Sequence, residues 1–349
     1  MSAPGDTGDL RHLTAGRVVL VLALMGLATL VSLLLAPLCG SVPVDLRRAF
    51  DFGRPVTENP DAQVLFLFRL PRVVCAALAG AGLAAAGVAF QAVLRNPLAT
   101  PYTLGVSSGG ALGAVLAIRV GLDALLGPVA LPTFAFAGAL ATVALVYAVA
   151  RVGRSLPPAT LLLAGVTMSF VCGAFMMFIQ YSADYAQSYR IVRWLMGGLD
   201  VGRPGMLWQI FPPLLLGLVL LQLRARDLNA LAAGPAAAAS VGVEVERTVR
   251  LVYLGASLIV GAVVAVAGPI GFVGLVVPHA LRHLLGPDHR VLLPASALGG
   301  AVFLVWCDTI ARTALAPAEM PVGVLTAMVG GPFFLWLLWR RKGRAGIWG

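Results

Sequence analysis

The stretch FLFRLPRVVCAALAGAGLAAAGVAFQ, residues 66–91, decides the fold class of this chain. From Val73 onward it is apolar enough to enter a bilayer, and its alanines and glycines would let a helix pack closely against its neighbours. Two arginines, Arg69 and Arg72, flank Pro71 at its start. Proline favours the first helical position, where cations are unfavourable. We therefore expect a membrane helix that begins near Pro71 and needs a negative charge from elsewhere.

The composition of the whole chain is that of an integral membrane protein. Of its 349 residues, 59% are hydrophobic and 11% are charged, whereas soluble domains carry about 25% charged residues. The net charge of +10 indicates basic loops and membrane lipids as partners rather than nucleic acid. The four cysteines form no CxxC pair and no cluster with histidine, so no metal site is expected.

Ten apolar segments come near the roughly 20 residues that a spanning helix needs. They lie at about 18–37, 73–94, 103–121, 128–150, 159–180, 206–223, 249–267, 269–285, 291–311 and 321–339. An even number of spans places both termini on one side, and the distribution of basic residues makes that side cytoplasmic. We expect an all-α bundle of ten transmembrane helices at 18–340, with cytoplasmic tails at 1–17 and 341–349.

The sequence lacks the motifs of several active protein classes. Its only lysine is Lys342, so there is no GxxxxGK[ST] phosphate loop and the chain is not itself a conventional ATPase. His279 and His283 stand four residues apart, but Ala280 replaces the glutamate of an HExxH site. We interpret that pair as a helix end at the inner interface. No nucleophile and base set is present in the sequence either, so a membrane-embedded enzyme is not expected.

Asp308 is the one carboxylate well inside a predicted span. Arg312 follows it by four residues, so the two side chains can pair on one helix face. Ion-coupled carriers usually keep an ionisable group within the membrane, and Asp308 is the only candidate. A secondary transporter that works without an ATPase partner therefore stays open as the alternative function.

One charged stretch between the sixth and seventh predicted spans is too short to cross the membrane: RARDLNALAAGPAAAASVGVEVER, residues 224–247. Asp227 or Asn229 can cap a first short helix, and Gly234 can end it. Pro235 suits the first turn of a second short helix. The residue types alone favour an ordinary helical loop, and a docking knob of two small helices on the cytoplasmic side is the alternative.

Together these segments resemble the permease subunit of type II ABC importers for iron–siderophore complexes, haem and cobalamin, the FecCD-like family. The matching segments include RLPR at 69–72, NPLATPYTLGVSSGG at 96–110, GPIGFVGLVVPHALR at 268–282 and AEMPVGVLTAMVGGPFFLWLL at 318–338. The resemblance implies a homodimer in the bacterial inner membrane. Two ATP-binding subunits would bind ATP and Mg on its cytoplasmic face, and a periplasmic or lipid-anchored substrate-binding protein would deliver the cargo. No cofactor is expected on this chain.

The resemblance also implies roles for individual residues. Acidic residues of the binding protein would dock on Arg69, Arg72 and Arg312. From the residue types alone, the favoured interpretation is that these arginines snorkel to lipid phosphates. The loop at about 226–246 would couple to the ATPase through Leu228, Asn229, Leu231, Gly234, Pro235, Val241 and Gly242. The cytoplasmic gate would lie at Asn96, Leu98, Pro158, Ala159 and Thr160. Four residues of the fifth span would line the pathway or else pack within the bundle: Ser169, Cys172, Met176 and Gln180.

The expected function is import of an iron chelate (a siderophore or haem) or of cobalamin by alternating access. ATP hydrolysis on a separate subunit would drive it. No residue in the chain identifies the cargo, although the ending VGGPFFLWLL, residues 329–338, favours iron chelates by resemblance.

Overall fold

The computed structural model describes residues 15–342, apart from residues 52, 54, 154, 200–204 and 206. The described chain consists of α-helices joined by short turns, several of them 3-10 helical. The α-helices are α1 (Ala15–Leu35), α2 (Leu46–Ala49), α3 (Pro60–Ala62), α4 (Leu70–Val93), α5 (Val106–Val120), α6 (Leu122–Leu126), α7 (Ala130–Ala150), α8 (Pro158–Tyr181), α9 (Tyr185–Leu195), α10 (Leu207–Leu223), α11 (Ala225–Ala232), α12 (Pro235–Ser240), α13 (Val245–Ala267), α14 (Val273–Leu285), α15 (His289–Thr313) and α16 (Val322–Lys342).

Each of the ten predicted spans coincides with one of these helices, which confirms the all-α membrane fold. Within the described residues, six helices are long and apolar enough to cross a membrane, and a seventh counts if α10 and α11 form one span bent by 54°. Shorter apolar helices, α5, α14 and part of α16, occupy the remaining segments. Ten crossings therefore stay a prediction. The predicted tails lie outside the described residues, except for the few residues that extend α1 and α16.

We name the ends of the bundle by the predicted orientation. The end that carries α11 and α12 is the cytoplasmic end, and the opposite end is the outer end. Asn229 of α11 contacts Asp288 at the N-terminus of α15, so the C-terminus of α15 lies at the outer end. The N-terminus of α4 lies beside it, because Arg72 contacts Asp308. No membrane is part of the structure, so the orientation itself stays a prediction.

Helix α4 lies at the centre of the bundle, where it packs against α13, α14 and α15. Its glycines allow this approach. A Cβ added at Gly80 would lie 2.7 Å from the carbonyl carbon of Gly300 on α15, and one at Gly87 would lie 2.6 Å from that of Gly274 on α14. Small residues at such crossings bring backbones into van der Waals contact, which supports helix association within lipid. The prediction of close packing is confirmed for this helix.

The prediction that this helix begins near Pro71 is confirmed for its α-helical part, since α4 starts at Leu70 with Pro71 in the first turn, but the chain is already helical before it. A π-helical segment, Gln63–Arg69, precedes α4, and the helix runs on from Pro60 to Val93. A π-helix bonds five residues back rather than four, and Leu70 N–H accordingly donates to Leu65 O. Pro71 has no N–H to donate. The wider turn before it explains how a proline lies inside a helix that does not stop.

Helix α9 was not predicted. It is short and amphipathic, and Asp184 caps it by accepting from Gln187 N–H at 2.8 Å. Arg190 forms an ion pair with Asp123 of α6, and Ile191 is buried beneath it. This helix therefore joins the two outer connections, α5 to α7 and α8 to α10.

Candidate functional site

The three predicted docking arginines line one cavity of about 350 Å³ at the outer end, which we call the arginine cavity. Arg69 ends the π-helical segment, Arg72 lies in the first turn of α4, and Arg312 lies in the last turn of α15. Glu319, from the loop between α15 and α16, lines the same cavity. The structure therefore brings the three residues together, although their role in docking stays a prediction.

Two carboxylates of the chain itself hold Arg72. Its Nε donates to both oxygens of Asp308 at 3.1 Å, and Nη2 donates to Asp308 Oδ1 at 3.0 Å. Its Nη1 donates to Glu319 Oε2 at 2.6 Å. Such charge-assisted, forked contacts are among the stronger hydrogen bonds in proteins. The negative charge that we assigned to another protein is thus supplied to Arg72 within this chain, which corrects that interpretation.

Arg69 and Arg312 are buried against the turn that ends α1. Arg69 Nη1 donates to Pro37 O at 3.2 Å, and Arg312 Nη2 donates to Ala36 O at 2.5 Å. Arg312 Nε lies 3.7 Å from Asp308 Oδ2, which confirms the predicted pair on one helix face. Because both guanidinium groups are buried in the chain, snorkelling to lipid phosphates does not explain them.

Asp308 is therefore a member of the outer charge network. Its carboxylate is buried, it lies close to the C-terminus of α15, and it contacts Arg72 and Arg312. An ion-coupling site needs a carboxylate that can exchange its counter-ion for a proton or a metal ion. The two fixed arginines argue against that use.

At the cytoplasmic end, α11 and α12 form the predicted pair of short helices, which we call the knob. Gly234 separates them with φ +110°, and Pro235 begins α12 as predicted. Val243 N–H donates to Ala238 O at 3.0 Å and Gly242 N–H to Ala239 O at 3.0 Å. This is a Schellman ending, with Gly242 in the left-handed region at φ +85°.

The predicted coupling residues divide into anchors and surface. Leu228 and Leu231 are buried and attach α11 to the bundle. Pro235, Val241 and Gly242 are exposed, and Val241 is the most prominent apolar side chain of the knob at 70% exposure. A partner can therefore contact α12 and the turn after it, whereas the leucines can act only by holding the knob in place.

The predicted cap of α11 is wrong. The helix begins at Ala225, and no side chain caps it. Asp227 lies in the first turn instead, where Oδ2 accepts from Arg224 Nη1 at 3.1 Å and from Thr248 Oγ1 at 3.2 Å. An ion pair and a hydroxyl from α13 thus take up the carboxylate that the pattern assigned to capping.

Asn229 connects the knob to α15. Its Nδ2 donates to Asp288 Oδ1 at 2.7 Å, and its Oδ1 accepts from the backbone N–H of His289 at 2.8 Å. The imidazole Nδ1 of His289 lies 2.7 Å from the same oxygen, so it carries the proton. We call these three residues the α11–α15 tie. The resemblance assigned Asn229 to coupling, but nothing in the local sequence identified its partners.

Asp288 also caps α15 by accepting from Arg290 N–H at 3.0 Å. The Arg290 side chain donates to both carboxylate oxygens at 2.7–3.1 Å. These hydrogen bonds, with that from Asn229, hold the pKa of the Asp288 carboxyl well below its usual range. The tie is therefore built around a carboxylate that stays ionised.

The predicted gate residues lie in two turns at the cytoplasmic end. Asn96 Oδ1 accepts from Leu98 N–H at 2.9 Å and orders the turn after α4, while Leu98 itself is 47% exposed. Pro158 begins α8, and Ala159 is exposed beside it. Thr160 Oγ1 donates to Ala150 O at 3.0 Å, which holds α8 against the end of α7. Gating by these residues stays a prediction.

Three of the four nominated pathway residues face the bundle. Cys172 is buried, and Ser169 Oγ donates to Tyr102 O at 3.0 Å. Met176 packs beside the buried side chains of Ile118 and Ile179. These contacts favour the packing alternative over a pathway role for these three residues, while Gln180 is half-buried. Large apolar residues form the exposed face of α8 instead: Leu163, Phe170, Phe175, Met177, Phe178 and Tyr181.

A larger apolar cavity, of about 750 Å³, lies where α9, α14 and α16 meet. Tyr102, Met196, Phe272 and Met328 contribute to its lining. Phe272 sits in the left-handed region at φ +66°, just before α14. The volume of this apolar cavity is in the range of small-molecule sites. The sequence does not indicate this cavity, because its lining residues come from distant segments and none of them is charged.

The fold and the two ends of the bundle define a multi-span membrane protein of the permease class. The centre is a close-packed apolar bundle, and the polar networks occur at its ends. The chain belongs to the FecCD transport family, whose family model matches residues 27–340. It is therefore a transport permease, as the resemblance predicted.

Named relatives carry the same assignment. The chain is 42% identical over 328 residues to the ABC transporter permease protein YvrB of Bacillus subtilis, covering 90% of this chain and 92% of the relative. It is 46% identical over 295 residues to the cobalamin import system permease protein BtuC of Halobacterium salinarum, covering 84% and 77%. It is 44% identical over 280 residues to the hemin transport system permease protein HmuU of Yersinia pestis, covering 78% and 82%.

A solved structure shows the same fold. It is described as a metal-chelate type ABC transporter in an inward-facing conformation, and it superposes with a TM-score of 0.81 at 33% sequence identity. The match covers 92% of this chain and 99% of the other. The likeness therefore extends over nearly the whole bundle.

Proposed function

We propose that this chain is the membrane subunit of an ATP-driven importer that moves an iron chelate or cobalamin inward by alternating access. The observation that carries the proposal is the exposed knob, joined by a hydrogen-bonded tie to α15 in a chain of the FecCD transport family. An ion-coupled carrier that works alone has no need of such a surface.

The partners follow from the two ends of the bundle. Two ATP-binding subunits, which hold ATP and Mg, contact the knobs of a homodimer at the cytoplasmic face. A periplasmic or lipid-anchored binding protein docks at the outer end, where three arginines surround one cavity. The assembly lies in the bacterial inner membrane with both termini of this chain in the cytoplasm.

The path of the mechanical signal is α15. ATP binding moves the knob, and the α11–α15 tie passes this movement to the N-terminus of α15. The C-terminus of the same helix carries Asp308 and Arg312, which contact the arginine cavity. One continuous helix, His289–Thr313, thus joins the end that contacts the ATP-binding subunits to the end that receives the binding protein.

The cargo is a chelate with a large apolar surface. The relatives are named for hemin and cobalamin, and the apolar cavity of about 750 Å³ has two methionines and two aromatic side chains in its lining. Such a wall offers broad, weak contacts, which favour release over retention. An iron chelate and a corrinoid both fit this description.

The test is transport by the reconstituted complex. We expect uptake into proteoliposomes, and ATP hydrolysis stimulated by the loaded binding protein, only when ATP-binding subunits are present. Val241→Asp on the knob should reduce assembly with those subunits at least tenfold, because it places a charge in an apolar contact. Val56→Asp, on an exposed outer turn, is the matched control and should assemble normally. Uptake by the purified chain alone on an ion gradient would overturn the proposal.

A further inference from the structure

The two carboxylates that hold Arg72 differ in how firmly they are fixed. The Asp308 side chain is 1% exposed and makes three contacts with Arg72 at 3.0–3.1 Å. The Glu319 side chain is 45% exposed and makes one contact at 2.6 Å. An ion pair with a partner this exposed is worth only about 0.2–1 kcal/mol, so a well-placed carboxylate of similar strength can replace it. Glu319 is therefore the replaceable partner of Arg72.

The position of Glu319 allows that exchange without movement of the backbone. The next residue is anchored, because Met320 N–H donates to Ala311 O at 3.1 Å. Glu319 and Arg72 line both the arginine cavity and a neighbouring cavity of about 470 Å³. Arg193 of α9 lines that second cavity. A rotation of the Glu319 side chain would move its carboxylate from Arg72 toward Arg193.

The charges around the arginine cavity explain why an anion would replace Glu319. Among the described residues, Arg69, Arg72 and Arg312 meet two carboxylates, Asp308 and Glu319, so these five side chains carry an excess of one positive charge. When Glu319 turns away, the excess becomes two, and the outer cavity offers a guanidinium edge with a defined direction. A planar carboxylate from a partner matches that edge.

We propose that Glu319 is an internal competitor that occupies the Arg72 edge until an acidic side chain of the binding protein displaces it. This inference rests on the proposed function, and it adds a residue that sets the affinity and selectivity of docking. The competitor keeps weak anions from the cavity, because only a carboxylate delivered by a complementary protein surface outcompetes one that is already tethered.

The experiment measures binding of the importer's own substrate-binding protein to the complete importer in nanodiscs. Glu319→Gln keeps the shape of the side chain and removes the competing charge. We expect its affinity for the binding protein to rise about two- to fivefold, the range of an ion pair with a half-exposed partner. The gain should appear with a steeper dependence on salt, because the carboxylate of the partner then takes the place of the tethered Glu319 at Arg72.

Glu58→Gln is the matched control. Glu58 is exposed on the outer turn Val56–Glu58, and its change removes the same charge from the same face without touching the arginines. Glu319→Asp, whose shorter side chain withdraws the carboxylate from Arg72, should also increase affinity. A binding protein whose acidic docking residues are changed to the corresponding amides should lose the gain seen with Glu319→Gln.

The outcomes separate this inference from the proposed function. Wild-type importer that binds its substrate-binding protein, with Glu319→Gln no tighter than Glu58→Gln, overturns the role of Glu319 alone. Weaker binding by Glu319→Gln would also overturn it and make Glu319 a structural member of the network. A wild-type importer that neither binds that protein nor answers it with ATP hydrolysis contradicts the proposed function itself.

Discussion

The two ends of α15 use the same residue type in opposite ways. At the outer end, Asp308 is buried and lies between two arginines of the bundle. At the cytoplasmic end, Asp288 is partly exposed, caps the helix and receives Asn229 from the knob. Burial makes the carboxylate of Asp308 costly to disturb, whereas partial exposure makes the carboxylate of Asp288 easier to rearrange. We infer that the outer end sets the stability of the bundle and the cytoplasmic end transmits movement.

The largest effect that tests this comparison is expected from Asp308→Ala. It leaves Arg72 and Arg312 without their shared counter-ion in a buried setting, which typically costs about 3–5 kcal/mol. Thermal and denaturant unfolding of the purified protein would measure it. Glu319→Gln is the control and should stay within about 1 kcal/mol, since its carboxylate is 45% exposed. Equal effects of the two changes would contradict a stability role confined to the buried carboxylate.

The crossing of α4 and α15 provides the next test. Gly80→Ala puts a Cβ against the backbone of Gly300, and overpacking of this kind costs about 1–3 kcal/mol. Gly173→Ala on α8 meets nothing within 4 Å, and alanine in a helix is favoured over glycine by roughly 0.5–1 kcal/mol. The two unfolding free energies should therefore move in opposite directions. A stabilising Gly80→Ala would show that α4 and α15 can separate at their crossing.

These contrasts show which parts of the structure the sequence predicts. The glycine and alanine pattern of α4 and the Gly234–Pro235 junction of the knob are local, and both predictions are confirmed. The π-helical turn before Pro71 cannot be predicted from the local sequence. The tertiary environment decides whether the chain before a proline is non-helical or continues as a wider helical turn. The helix α9 was not predicted, because it is amphipathic and its 11 residues are too few to form an apolar span.

The candidate site was predicted less completely than the fold. The arginines were found through the resemblance, and Asp308 was paired with Arg312 from their spacing. The principal partner of Asp308 is nevertheless Arg72, which lies 236 positions away in the chain. No periodicity or spacing rule connects residues at that separation. The only signal was the pair of unusual charges at span ends, which indicates that partners exist but does not identify them.

A smaller change in stability with a larger change in function is expected from Asn229→Ala. The substitution removes the hydrogen bonds to Asp288 and His289, each worth about 0.5–1.5 kcal/mol. The knob should still bind the ATP-binding subunits, so ATP hydrolysis continues while uptake falls several-fold. The measurement is the ratio of cargo imported to ATP hydrolysed in proteoliposomes. Ser240→Ala on the exposed face of α12 is the control and should keep that ratio. An unchanged ratio in Asn229→Ala would place the transmission path elsewhere.

The smallest expected effect is the pH dependence of the cytoplasmic end. Since the folded-state pKa of Asp288 is depressed, chiefly by its hydrogen bonds with Arg290, its contribution to stability is present above the unfolded-state pKa of about 3.9. That contribution is lost progressively as the pH falls below about 4. Asp288→Asn keeps a capping side chain but cannot titrate. The thermal midpoints of wild type and Asp288→Asn should therefore differ at pH 6 and converge toward pH 3. Parallel curves over this range would mean that the carboxylate is not held ionised by its partners, and the tie would then have no advantage over a neutral cap.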